Sequence, residues 1–161
     1  MIQTKQGIVY HISAGGYVVH KNKILLVKSL YHQGIVPPHG HQEKGEKLIE
    51  TAKREICEET GYCDLQPITK ISVARYSYFH LGKRNIKTEH RWLFQLSSLQ
   101  VRPKKTKEAE MLRNRWYTLA QAEQRATFEN SKQDIRIIRT LLGNSQQAKE
   151  KEKKKKSFLL P

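Results

Sequence analysis

Three glutamates carry most of the chemistry open to this chain. Glu55, Glu58 and Glu59 stand within five consecutive positions, directly after Arg54. On a helix, at about 100° per residue, Glu55 and Glu59 fall one turn apart with Glu58 beside them, so three carboxylates converge on one side. The same wheel sets Glu59 inside the apolar arc of Leu48, Ala52 and Ile56, with Glu55 at its edge. A carboxylate turned toward protein is costly unless a positive group faces it. Arg54 can pair with Glu58 four residues on or with Glu50 four residues back, and one guanidinium does not neutralise the whole cluster. Hard divalent cations take oxygen ligands, and Mg2+ combines a few carboxylates with waters and substrate phosphate oxygens. The cluster therefore reads as a Mg2+ or Mn2+ site. Taken alone, three glutamates also read as a solvated acidic helix face balanced by basic neighbours.

The register of the surrounding residues favours the metal reading. Gly40 is followed after five residues by Glu46, and after seven more by Arg54-Glu55-Ile56-Cys57-Glu58-Glu59-Thr60-Gly61-Tyr62. This pattern, G-x5-E-x7-R-E-U-x-E-E-x-G-U with U a bulky apolar residue, resembles the Nudix box; Tyr62 stands where an aliphatic residue is usual. The resemblance implies hydrolysis of nucleoside diphosphates linked to another group, in an α/β/α sandwich around a mixed central sheet. It implies that Glu55, Glu58 and Glu59 bind the metal, that Arg54 orients a glutamate, and that Gly40 lends a backbone carbonyl. Glu46 is expected to brace the turn into the helix. A further base or ligand is expected from outside the box, with Glu110 the first candidate and Glu108 the second. His39 and His41 flank Gly40 and suit loop packing or phosphate hydrogen bonding better than metal binding.

Substrate choice is written outside the box. Ala74, Tyr76, Tyr78 and His80 share one strand face by period-two alternation. A tyrosine 16 residues past Tyr62, the segment Tyr76 to Thr88, and Arg115-Trp116-Tyr117 before Leu119-Ala120-Gln121-Ala122 are similar to the diadenosine polyphosphate hydrolases of that family. A tyrosine ring stacks on adenine, and Lys83, Arg84 and Lys87 could hold a phosphate chain, with His41 nearby. Aromatic residues at strand spacing are also ordinary sheet packing. The expected substrate is a dinucleoside polyphosphate such as diadenosine tetraphosphate. Oxidised nucleoside triphosphates, triphosphorylated RNA ends and diphosphoinositol polyphosphates stay open, as does a nucleotide- or RNA-binding module without catalysis.

The elements that must position these groups follow from periodicity. Gly7 to Ile12 and Tyr17 to His20 read as strands around Ala14-Gly15-Gly16, where a backbone or ligand could approach closely. Ile24 to Lys28 is a compact strand, and Ser29 to His39, with Pro37-Pro38, reads as a loop. Glu46 to Thr60 is helical with Gly61 as its stop. Ile68 to Leu81 and Ile86 to Leu96 pair across a turn at Gly82-Lys83-Arg84, with Trp92, Phe94 and Leu96 on one face. Gln100 to Glu108 reads as a basic loop. Arg115 to Leu119 is a last strand, Ala120 to Ala126 a short helix, and Ser131 to Leu142 a helix stopping at Gly143.

A chain of 161 residues suits one domain, taken as 1–143, plus a tail over 144–161. Net charge is +15, with Lys149, Lys151 and Lys153 to Lys156 concentrated in the tail. Such a field attracts polyanions without choosing among them, and the tail is expected to be disordered, with weak RNA or polyanion contact as the sharper alternative. No stretch is long and apolar enough to span a membrane, and the N-terminus lacks signal-peptide character, so the cytoplasm is the expected compartment. Cys57 and Cys63 match neither a zinc spacing nor a disulfide framework and are expected as free thiols. Oligomeric state has no sequence signature here.

Overall fold

The computed structural model describes residues 2–5, 7–30, 33–104 and 106–158, with side chains described as far as residue 145. The strands are β1 (Ile2–Lys5), β2 (Ile8–His20), β3 (Lys23–Ser29), β4 (Ile35–Val36), β5 (His39–His41), β6 (Leu65–His80), β7 (Lys83–Leu96) and β8 (Leu112–Thr118). The helices are α1 (Leu48–Thr60), α2 (Lys107–Glu110), α3 (Leu119–Arg125) and α4 (Glu129–Phe158). All the strands join one sheet with the path β4-β3-β2-β7-β6; β1 and β5 pair with β2, and β8 with β3. The β2–β7 pair is parallel, from Ile8 opposite Arg84 to Val19 opposite Gln95. The other pairs are antiparallel, so the sheet is mixed.

Both faces of the central strands are apolar because helices cover both. On β2, Ala14 and Val18 join a core with Ala52 and Ile56 of α1 and Phe94 and Leu96 of β7. Tyr17 and Val19, one residue out of phase, join Leu93, Ala122 of α3, and Ile135 and Ile138 of α4 in a second core. A strand alternating between two cores is what a helix–sheet–helix sandwich requires, and α1 is held on its face by the fully buried Ile56. Burying such a side chain contributes about 1.5–3 kcal/mol.

Several boundaries differ from those read in the sequence. Ala14-Gly15-Gly16 does not separate two strands; β2 runs through it. A Cβ on Gly15 would lie 2.1 Å from the Pro38 carbonyl oxygen, and one on Gly16 2.0 Å from that of Trp92. The glycines therefore admit neighbouring backbone without breaking the strand. The β6–β7 turn is Leu81-Gly82, both at positive φ (48° and 70°), which is the geometry of a two-residue hairpin turn; Lys83 and Arg84 already belong to β7. The loop before Gly40 contains β4, and Gly40 itself lies within β5. Gly143 does not end α4, which continues to Phe158. The lysine side chains at 149–156 fall beyond the described side chains, and Leu159 and Leu160 lie outside the described residues. Among the described residues no helix is long and apolar enough to cross a membrane.

Cys57 and Cys63 are not free thiols. They form a disulfide with a Cα–Cα distance of 4.5 Å. The left-handed Gly61 (φ 80°) turns the chain back at the end of α1, and its N–H donates to the Cys57 carbonyl at 2.8 Å. That reversal brings the two cysteines together, a contact that spacing alone does not reveal.

Candidate active site

Helix α1 carries the site, and Arg54 organises it. Its Nε and Nη2 donate to the two oxygens of Glu46 at 2.9 and 3.0 Å. Nη1 donates to Glu55 at 2.8 Å and to Glu58 at 3.3 Å, and Nη2 also reaches the His41 carbonyl at 2.9 Å. A planar guanidinium suits this task because its donors point in fixed directions. Glu46 is held further by the Thr51 hydroxyl at 2.7 Å and the Glu43 N–H at 3.2 Å, and so braces the entry to α1. The Arg54 contacts hold the Glu46 carboxyl down at about 2. Glu50 pairs instead with Lys53, at 3.7 Å.

Glu59 is treated differently. Its Oε2 accepts the His39 N–H at 3.0 Å, and Arg54 makes no described bond to it. Burial, with the Glu55 charge nearby, pushes the Glu59 carboxyl up to about 8 despite that N–H. Burial also raises Glu55, against the pull of Arg54. Gly40 is what lets Glu55 sit where it does: a Cβ there would lie 2.0 Å from the Glu55 carboxyl carbon. As they stand, no three His, Cys, Asp or Glu side chains among the described residues converge closely enough to hold an ion, since Arg54 draws Glu55 and Glu58 toward itself. The donor set nonetheless fits a hard divalent cation: oxygen ligands only, two of them, Glu55 and Glu59, raised by burial.

Facing this helix edge is a second group of charged residues that the sequence reading did not single out. Glu89 and Arg91 on β7 are almost fully buried, and Arg91 donates to Glu89 at 2.6 Å and to Asp134 of α4 at 3.0 Å. Asp134 also accepts from Tyr17 at 2.9 Å and Ser72 at 3.0 Å. Tyr76 donates to Glu89 at 3.3 Å, and His39 Nε2 lies 3.5 Å from the same carboxylate. Burial works against ionising Glu89, but His39 and Arg91 outweigh it and hold the carboxyl below its usual range. Burial lowers His39 and Lys87, and Lys87 lies within electrostatic reach of Glu89, Glu59 and Glu55. A cavity of about 250 Å3 opens here, with Pro37, His39, Tyr76, Glu89, Arg91 and Asn130 among its walls. The alternation of β7 could have exposed the pattern: Asn85, Lys87, Glu89 and Arg91 lie on the face that turns inward.

The expected substrate residues separate along the same register. Tyr76 pairs with Lys87 and Tyr78 with Asn85, so both tyrosines share the face of Lys87. Their rings are 6.4 Å apart, and Tyr78 stacks on His11 at 6.1 Å. His41 Nε2 lies 3.1 Å from His11 Nδ1, and His11 Nε2 lies 2.7 Å from Asn85 Oδ1. Burial, then Lys87 and His11, lowers His41 to about 4. Lys83 lies at the exposed hairpin tip on the Lys87 face, whereas Arg84 pairs with Phe79 and so turns to the other face. Glu110 ends the exposed face of α2, with no described bond to the box carboxylates.

A mixed sheet between helices, with a glutamate-rich helix whose arginine binds two of its carboxylates and a third just before it, defines a class of proteins, and comparison confirms it. The profile of the NUDIX domain matches residues 9–140, and the chain belongs to that family. Asymmetrical bis(5'-nucleosyl)-tetraphosphatases of Mus musculus and Sus scrofa are each 33% identical over 96 residues, 60% of this chain. The chain's match spans 63% of the length of these curated relatives. Among solved structures, a NUDIX hydrolase from Nitrosomonas europaea superposes with a TM-score of 0.65 at 19% identity, covering 81% of this chain and 88% of that one. A C. elegans Ap4A hydrolase in a binary complex gives a TM-score of 0.62 at 23% identity, covering 83% and 98%. These likenesses place the fold.

Proposed function

We propose that this chain hydrolyses a phosphoanhydride bond in a nucleoside polyphosphate, with a dinucleoside polyphosphate such as diadenosine tetraphosphate as the foremost substrate. The observation that carries this reading is the division of labour around α1: Arg54 fixes Glu46, Glu55 and Glu58, while Glu59 has no described bond to Arg54 and burial raises it to about 8. Glu55, Glu58, Glu59 and the Gly40 carbonyl are the groups that would hold Mg2+. When bound, the ion would neutralise phosphate charge and increase the acidity of an attacking water.

The remaining roles belong to the chain itself. Arg54 gathers Glu46, Glu55 and Glu58 around one guanidinium, and Glu55 and Glu58 would turn from it toward the ion. Lys87, on the face shared with Tyr76 and Tyr78, is placed to pair with a phosphate oxygen of the substrate. Tyr76 and the cavity beside Glu89 and Arg91 are suited to a nucleoside, the apolar walls taking the base and the buried charges its polar edges. The names of the tetraphosphatase relatives support the two-nucleoside substrate.

A substrate panel tests the reading: diadenosine tetraphosphate, nucleoside triphosphates, ADP-ribose, diphosphoinositol phosphates and triphosphorylated RNA, each with Mg2+. The highest kcat/KM is expected for diadenosine tetraphosphate. A clear preference for ADP-ribose or for inositol phosphates would overturn the assignment of the tyrosine face.

A further inference from the structure

Two cavities share one short turn away from the box. Lys21 and Asn22 join β2 to Lys23, the first residue of β3, and all three are exposed. On one side they line a cavity of about 450 Å3 with His20, Leu99 and Trp116. On the other they line a cavity of about 260 Å3 that reaches Arg139, Leu142 and Gly143 of α4. No residue between Gly40 and Tyr62 lines either one.

The first cavity has an aromatic wall held in place. Trp116 Nε1 donates to the Tyr62 hydroxyl at 3.2 Å. Tyr62 and His20 cross the indole at 70° and 68°, so neither is stacked flat on it. Leu99 adds an apolar side chain that is 55% exposed. Positive charge surrounds this wall. Lys21 and Lys23 stand on the turn, while Arg139 on the far side shares its charge with Glu123 at 3.0 Å. From Gly143, at the edge of the second cavity, α4 runs on to Phe158, a distance of about 22 Å at helical rise. Over residues 144–157 the sequence has six lysines, two glutamates, and Ala148 as its one apolar residue.

We propose that this end of the molecule binds single-stranded nucleic acid. Trp116 stacks a base, and Lys21 and Lys23 pair with adjacent phosphates. Each element suits that ligand: an indole face accepts any base, and flanking lysines track phosphates without reading sequence. A duplex keeps its base faces stacked away from Trp116. An anionic membrane would call for an apolar stripe along the helix, and the sequence between Gly143 and Phe158 has none. An acidic peptide would satisfy the lysines but supplies no base for the indole. The inference is independent of the hydrolase reading, because no box residue lines either cavity and Tyr62, the last residue of the box pattern, serves here only to anchor Trp116.

The test is fluorescence anisotropy of the full chain with a labelled single-stranded oligonucleotide, the same sequence as duplex, a polyglutamate peptide, and vesicles of phosphatidylcholine with phosphatidylserine. The single strand is expected to bind tightest, with affinity falling steeply as salt rises. Each lysine paired to a phosphate contributes about 0.7 to the slope of log K against log salt. Lys21→Glu with Lys23→Glu is expected to weaken single-strand binding at least tenfold and flatten that slope, while hydrolysis of the nucleotide substrate is unchanged. Trp116→Phe keeps an aromatic ring and retains most of the affinity; Trp116→Leu loses about tenfold at a salt slope that stays the same. Wild-type affinity in the paired lysine variant, or duplex, peptide or vesicles bound as tightly as the single strand, would overturn the proposal.

Discussion

The carboxyl group of Glu55 occupies the space where a side chain at position 40 would begin: a Cβ on Gly40 would lie 2.0 Å from its carboxyl carbon. Glycine is needed at this point for clearance, so Gly40→Ala must displace Glu55 from its 2.8 Å contact with Arg54. Turnover is expected to fall by about 10²-fold, the scale of a small misplacement in a site that depends on position. The double variant Gly40→Ala/Glu55→Gln should be no worse than Glu55→Gln alone, because both changes act on one contact. Steady-state kinetics of the three variants checks this; fully additive losses would separate Gly40 from Glu55.

Arg54→Lys is expected to behave as a drastic change. A lysine cannot bind both oxygens of Glu46 and reach Glu55 together. The variant should lose about 1–3 kcal/mol of stability, because part-buried carboxylates are left without their donor, and most of its activity. Urea denaturation compared with Arg54→Gln measures it; a lysine variant with full stability would contradict the hub described here.

Glu46 and Glu59 should respond to pH in opposite directions. Glu46 titrates at about 2 when folded, below its ordinary 4.5. Its contribution is therefore complete above 4.5 and is lost as pH falls toward 2. Glu46→Gln should cost about 1–2 kcal/mol at pH 7, after solvent screening, and nearly nothing at pH 2. Glu59 is raised to about 8, so the metal-free protein loses stability as pH rises from 4.5 through 8. Glu59→Gln should then be more stable than the wild type at pH 9 in chelator, by about 1–3 kcal/mol. Added Mg2+ should reverse that order. Thermal melts at several pH values, with and without Mg2+, give the result.

The buried charge network should matter more than its distance from the box suggests. Arg91, Asp134 and Glu89 are each at most 4% exposed. Asp134→Ala leaves Arg91 without one of its two carboxylates, and a cost of about 3–5 kcal/mol is expected. Glu89→Gln keeps the shape and should raise KM more than it lowers kcat, since Glu89 lines the cavity proposed for the nucleoside.

The Cys57–Cys63 pair closes a short loop around the end of α1. Under oxidising conditions Cys57→Ser with Cys63→Ser should cost about 2 kcal/mol by loop entropy, with no difference once reductant is added. Mass spectrometry after thiol alkylation of protein isolated without reductant reads the pair directly. A reducing compartment such as the cytoplasm would keep both as thiols.

Much of the site could be read from residue spacing, and the limits have physical causes. The helical wheel placed Glu55 and Glu59 toward protein, and Gly61 marked the helix end, because both follow from local geometry. Glu46 as a brace was equally local. Glu89, Arg91 and Asp134 were missed because charged residues in a strand read as solvated until a partner from α4 covers them. Arg84 is grouped with Lys87 in the sequence because the turn is drawn two residues into β7, which begins at Lys83, and a strand's face depends on register. Gly143 sits inside α4 rather than after it, since an isolated glycine weakens a helix by only about 1 kcal/mol. The disulfide depended on a chain reversal that spacing does not encode. Glu110 was chosen by its position late in the domain, and the structure leaves it on an exposed helix.

The most direct measurement is hydrolysis of diadenosine tetraphosphate by wild type, Glu59→Gln and Glu110→Gln, followed by chromatography of the nucleotide products. Wild type should turn over with Mg2+ and stop with excess chelator. Glu59→Gln should fall by about 10³-fold or more while keeping its fold by circular dichroism, and Glu110→Gln should stay within about threefold, on the scale by which removing one catalytic donor is judged. Turnover by Glu59→Gln close to wild type, or hydrolysis undiminished by chelator, would contradict the assignment of the α1 carboxylates as the catalytic metal site.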